Sequence, residues 1–151
     1  MSKQEFTFDY AHYAPLDALP ESDRELAARA ADACGTAYAP YSGFRVGAAA
    51  LLEDGTILTA SNQESEVFPS GMCAERSLLY YLQANFSGVR IVALATASVP
   101  GERECYPCAC RQVLADTEKR QGSPIRVVMC SGHSATVVQE ARQLLPFTFE
   151  L

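Results

Sequence analysis

The sequence predicts a single three-layer α/β/α domain around a five-stranded mixed sheet, and three observations carry that expectation. Val89 to Ala97 and Ile125 to Cys130 are nearly continuous apolar runs, as expected of strands covered on both faces. Helical patterns stand between the strand patterns, which favours helices layered on a sheet. The 151 residues, 48% hydrophobic and 20% charged, match one ordinary globular domain and are too few for two.

Residues 1–20 form an N-terminal arm with Phe6, Phe8, Tyr10, Tyr13 and two prolines, expected to lie irregularly on the surface or against a partner. His12 within it reads as a surface or packing residue. Ser22 followed by Glu25 has the spacing of a capping box. Leu26, Ala27, Ala30, Ala33 and Cys34 then recur at helical spacing, and Pro40 closes the first helix. Tyr41-Ser42-Gly43-Phe44 turns the chain into a strand over Arg45 to Leu52. Glu53-Asp54-Gly55 is a hairpin turn, and Thr56 to Ala60 returns as the second strand. Asn62 and Glu64 lie at its end, placed either to bind polar hydroxyls or simply to be solvated. Cys73 to Asn85 carries Leu78, Leu79 and Leu82 at helical spacing. The buried-type strand Val89 to Ala97 follows Gly88. A loop over Arg103 to Pro107 leads to a helix over Ala109 to Lys119, then to the strand Ile125 to Cys130. Val137 and Val138 start one more short element. Leu144, Leu145, Phe147 and Phe149 make a terminus expected to be docked rather than left in water.

The net charge of −6 argues against a nucleic-acid footprint, which needs a basic patch. No apolar run is long enough to span a membrane, and Met1 to Tyr10 lack the features of a signal peptide. A cytoplasmic protein is expected. Of six cysteines, three crowd into Cys105 to Cys110. In a reducing compartment that spacing suits metal ligation better than disulfides.

The chemistry centres on Ser70-Gly71-Met72-Cys73-Ala74-Glu75-Arg76 and on Cys105-Tyr106-Pro107-Cys108-Ala109-Cys110-Arg111. A cysteine two residues before a glutamate, followed by a distant cysteine cluster, is the cysteine form of the zinc-deaminase pattern. Both segments enter helices, whose unpaired amides and dipoles favour thiolates. One helix start supplies one thiolate and the other supplies two. The fourth zinc position is left for water, as in a catalytic site. Glu75 lies close enough to shuttle protons without ligating the metal. Arg76 can donate to thiolate sulfur and offset the surplus negative charge.

The order and spacing of these residues resemble the cytidine deaminases, in particular the small homotetrameric class with an all-cysteine zinc site. The resemblance runs through Tyr38-Ala39-Pro40-Tyr41-Ser42-Gly43-Phe44-Arg45-Val46-Gly47, Asn62-Gln63-Glu64, Cys73-Ala74-Glu75-Arg76, Cys110-Arg111-Gln112 and Leu144-Leu145-Pro146. It implies Zn2+ as cofactor and a nucleoside as substrate, with deamination of cytidine and deoxycytidine in pyrimidine salvage. It further implies that Asn62 and Glu64 hold the ribose hydroxyls and that Phe44 packs beside the nucleoside. The Ala74 backbone and Glu75 would read the pyrimidine edge. Phe149 would reach a neighbouring subunit's site, and Phe68 would lie near a subunit boundary.

Two stretches depart from the family pattern. The family's Pro-Cys-Gly-x-Cys appears as Pro107-Cys108-Ala109-Cys110, one residue short. Loss of the glycine leaves Cys73, Cys108 and Cys110 as ligands; the competing pair is Cys105 and Cys108, which has the C-x-x-C spacing. Ser65, Glu66 and Phe68 replace the family's asparagine, small apolar residue and tyrosine. Glu66 could reject the ordinary nucleoside or favour one carrying an amine. The alternatives are therefore a deaminase of a modified or antibiotic-like cytosine nucleoside, or a binding protein that keeps zinc only as structure. Intact Glu75 argues against the second.

Overall fold

The computed structural model describes residues 1–151. Its elements run β1 (Ala11–Tyr13), α1 (Glu21–Ala33), β2 (Arg45–Leu52), β3 (Ile57–Ser61), α2 (Ala74–Asn85), β4 (Ile91–Val99), α3 (Cys110–Gln121), β5 (Arg126–Cys130) and β6 (Ala135–Val138). The strands form one mixed sheet in the order β1-β6-β5-β4-β2-β3. Only the β4–β5 pair is parallel; the other neighbours are antiparallel. No helix is long and apolar enough to cross a membrane.

Alternation along the central strands fills both faces. Ala48, Ala50, Leu52, Leu94, Val127 and Met129 pack with Leu78, Leu79 and Leu82 of α2 and Leu114 of α3. Ala49, Ala93, Ala95, Ala97 and Val128 face the other way, onto Leu26, Ala27 and Ala30 of α1. Two separate cores on one sheet make the three layers. The small residues on the α1 side let that helix lie close to the sheet.

The directions of the strands place the site. β2 runs antiparallel to both β3 and β4, so β3 and β4 point the same way. Each is followed by a loop and a helix, and both loops lead from the same end of the sheet. The starts of α2 and α3 are therefore brought together there.

The sheet has six strands, one more than expected. The extra one, β1, comes from the N-terminal arm: Ala11, His12 and Tyr13 pair with Val137, Thr136 and Ala135. Three residues carry too little alternation to reveal a strand. Its formation rests on a distant edge that offers free backbone groups. α1 starts at Glu21 with Pro20 as its N-cap, and no side chain caps it. Ser22 thus lies inside the first turn, so the predicted capping box does not form. The helix ends at Ala33 and tightens into a 3-10 turn over Cys34–Thr36, well before Pro40. β4 ends at Val99 rather than Ala97, and α3 continues to Gln121.

Gly47 sets the closest approach between α1 and β2. A Cβ there would fall on the carbonyl oxygen of Ala30 and lie 2.8 Å from the backbone nitrogen of Cys34. Both obstacles are backbone, so relief requires moving the helix. Gly47→Ala should cost about 2 kcal/mol or more, lowering Tm by about 4–8 °C at this chain length. Thermal unfolding followed by circular dichroism checks it, and an unchanged Tm would show that α1 can shift freely.

Candidate active site

Cys73 is the N-cap of α2, with extended backbone (φ −73°, ψ 157°), and Ala74 and Glu75 begin the helix. Cys110 is the first residue of α3. The two sulfurs lie 2.6 Å apart. Together with a Glu75 carboxylate oxygen, they form a group whose potential ligand atoms all lie within 4.8 Å of one another. Each residue is fixed by a helix start, and neither helix offers a side-chain cap that would compete for its free amides.

The electrostatics of this group favour a cation. Cys73 is pulled down to about 5, chiefly by the hydrogen bond from Cys110 and further by Arg76, against the opposing effect of burial. The same shared bond, with burial and the nearby Glu75 charge, pushes Cys110 upward. Arg76 Nε donates to Cys73 Sγ at 3.1 Å. Glu75 is only 3% exposed. Burial, then the Cys73 charge, raises its carboxyl to about 7. A carboxyl poised there can both take and release a proton near neutrality. Two soft donors at convergent helix starts, with an acid beside them, fit zinc.

The structure separates the three clustered cysteines. Cys110 is buried in the central group, whereas Cys108 is exposed and lies outside it. The carbonyl of Cys108 accepts from Arg111 Nε at 2.9 Å and from the Arg111 amide at 3.3 Å. Cys105 is buried behind the site. Its amide donates to the Cys130 carbonyl at 3.0 Å, and its carbonyl accepts from Thr96 Oγ1 at 2.6 Å. Burial pushes its thiol up to about 12, aided by the Glu75 charge.

Asn62 and Glu64 stand beside the turn that carries Phe44. Asn62 Oδ1 accepts from the Val46 amide at 2.8 Å, and Nδ2 donates to the Phe44 carbonyl at 2.9 Å. Glu64 accepts from the amides of Tyr41 and Ser42 and from the Ser42 hydroxyl. These hydrogen bonds hold the carboxylate below its usual range, the Ser42 hydroxyl contributing most. Phe44 is half-exposed and lines a cavity of about 380 Å³ with Ser98, Pro100, Cys105 and Tyr106. Phe68 and Phe149 are both exposed, at 90% and 68%, and neither covers the site within the chain. Glu66 is also exposed and makes no ion pair.

Sequence reasoning missed Ser42 and Glu104. Ser42 gave no signal beyond that of a turn residue. Glu104 looked like one of several loop charges; its side chain is nearly buried against His12, Tyr106 and Ser134.

The family model for the cytidine and deoxycytidylate deaminase zinc-binding region matches residues 20–122. The chain belongs to the cytidine deaminase family. It is 41% identical to a cytidine deaminase of Halalkalibacterium halodurans over 81 residues, which is 53% of this chain and 60% of that protein. It is 39% identical to a cytidine deaminase of Mycobacterium tuberculosis over 100 residues, which is 65% of this chain and 74% of that one. The crystal structure of cytidine deaminase from Burkholderia pseudomallei superposes with a TM-score of 0.70 at 33% identity, covering 83% of this chain and 97% of that chain. The Mycobacterium tuberculosis enzyme gives 0.67 at 34% identity, covering 84% and 96%. The family's zinc-binding region includes both helix starts, so the cation suggested by the thiol pair is zinc.

Single serine variants should resolve the ligands. With Cys73, Cys108 and Cys110 as the set, each of those variants loses bound zinc, whereas Cys105→Ser retains it. Metal content of the purified variants is the measurement. Loss of zinc in Cys105→Ser with retention in Cys108→Ser would reassign the third ligand.

Proposed function

We propose that the protein is a zinc-dependent hydrolase that converts cytidine and deoxycytidine to uridine and deoxyuridine and releases ammonia. The observation that carries this reading is the buried Glu75 carboxyl beside two thiols at facing helix starts. Cys73, Cys110 and Cys108 would hold the zinc, with Cys108 brought in from its exposed position. When bound, zinc supplies Lewis acidity that makes hydroxide available near neutral pH.

The chain's own residues do the rest. Glu75 takes a proton from the attacking water and delivers one to the pyrimidine ring nitrogen. It then helps the amine leave as ammonia; one carboxylate suffices because the three transfers occur in sequence. The Ala74 backbone and Glu75 orient the pyrimidine edge. Phe44 packs beside the nucleoside, and Asn62 and Glu64 meet the ribose hydroxyls while keeping the Phe44 turn in place. Arg76 compensates the thiolate charge. All six cysteines are free thiols, in keeping with a reducing, cytoplasmic setting.

A second substrate reading rests on Glu66. Its unpaired carboxylate, on the loop between Glu64 and Phe68, favours a cytosine nucleoside carrying an amine. Ammonia release from a panel of nucleosides separates the two readings. Cytidine as the best substrate supports the first, and a modified amino-nucleoside as the best supports the second.

Glu75→Gln tests the mechanism. The variant keeps the size of the side chain and much of its hydrogen bonding, so it should fold and hold zinc. Its turnover should fall at least ~10²-fold. Near-normal turnover in the zinc-loaded variant would remove Glu75 from the reaction.

The assembly we propose is a homotetramer whose pockets are completed across subunits. Phe68, Phe147 and Phe149 are 90%, 98% and 68% exposed, apolar surface that a second copy can cover. Removing Phe147 through Leu151 should therefore impair substrate binding or turnover more than zinc content. Solution mass, activity and zinc measured together check this, and a fully active monomer would rule the assembly out.

A further inference from the structure

The loop that delivers the second cysteine cluster is held by a buried carboxylate that the reaction itself does not use. Glu104 lies just before Cys105, and its side chain is only 7% exposed. One oxygen receives the Ser134 hydroxyl at 2.8 Å and faces His12 Nε2 at 3.1 Å; the other receives the Tyr106 hydroxyl at 2.7 Å. Thr136 lines the same cavity and also favours the charged form of this carboxyl. Burial works against the charge on this carboxyl, yet the hydrogen bonds and the His12 ring outweigh it and hold it below its usual range. A carboxylate can accept about four hydrogen bonds, and Ser134, Tyr106 and His12 occupy three of those positions here.

These partners come from four places. Tyr106 belongs to the loop itself, and Ser134 precedes β6. Thr136 is in β6, and His12 is in β1, directly opposite Thr136 in the strand pairing. The next residue continues the anchoring, since the two backbone groups of Cys105 are bonded to Thr96 within β4 and to Cys130 at the end of β5. Beyond these anchors the chain passes through Pro107 and exposed Cys108 to Cys110 within a few residues.

We propose that Glu104 is a positioning residue for the zinc-binding loop, and that His12 makes the N-terminal arm part of the same support. The arm lies outside residues 20–122, the part of the chain that matches the family model. This chain therefore steadies its metal loop with a segment that the zinc-binding region does not include. The shortened Pro107-Cys108-Ala109-Cys110 leaves less chain between cysteines, so the loop must enter α3 from a fixed point. The Glu104 cluster supplies that point. The proposal rests on the zinc reading above.

The test is zinc release from the holoenzyme to a colorimetric chelator, with Tm measured alongside. Glu104→Ala should release zinc about tenfold faster or more, the low end for a residue that supports metal ligands. Glu104→Gln keeps the size and part of the hydrogen bonding, so its rate should fall between that of the alanine variant and the wild type. His12→Ala should accelerate release in the same direction. Asp23→Asn is the control: Asp23 is buried and paired with Arg126 on the α1 side of the sheet. It should lower Tm yet leave zinc release at the wild-type rate. If Glu104→Ala does not fold, Glu104→Gln and His12→Ala decide the matter. Release no faster than that of Asp23→Asn would overturn the proposal. Absence of zinc from the wild-type protein would instead overturn the functional reading on which it stands.

Discussion

The whole site depends on the meeting of two helix starts. α2 alone offers one cysteine and Glu75 at its start, and α3 alone one buried cysteine. They meet because β3 and β4 flank β2 and both run against it, sending their following loops to one end of the sheet. The two cores on either side of the sheet keep this arrangement rigid. The sulfurs of Cys73 and Cys110 are then brought to 2.6 Å from one another, and Glu75 is buried by the same convergence. Low dielectric and nearby negative charge give the carboxyl its raised pKa. The thiol pair and the buried carboxyl thus have one geometric origin.

Much of this was legible in the chain. Cys73 and Glu75 announce themselves by spacing, because two residues at a helix start place a ligand and an acid side by side. β2 could be read to the residue, since its alanines and leucines form a continuous apolar run and Asp54-Gly55 ends it in a turn. Gly55, at φ 87°, adopts the left-handed conformation that such a turn needs.

What escaped the sequence depended on partners far along the chain. β1 is a strand only because β6 has an open edge. Glu104 is buried only because the arm, β6 and its own loop close around it. Loop acids without periodicity look alike until the fold chooses among them. The start of α1 failed for a local reason: Pro20 supplies the helix entry with its carbonyl accepting from Arg24, so the serine cap that the pattern offered is not used. The tail was expected to pack on its own chain or on a partner. Phe147 and Phe149 stay exposed, while the tail is tied to α3 by Gln112 donating to the Phe149 carbonyl and by the Lys119–Glu150 ion pair.

The three residues of β1 also bear on how the protein can be handled. They cover the outer side of β6, which would otherwise present unpaired amides and carbonyls to any strand it met. Residues 1–10 pair with nothing in the sheet, so a tag fused before Met1 leaves the sheet undisturbed. A chain begun after Tyr13 would uncover β6 and invite edge-to-edge self-association. Proteolysis within or just after Ala11–Tyr13 would do the same, turning a trimmed preparation into one that precipitates as its concentration rises.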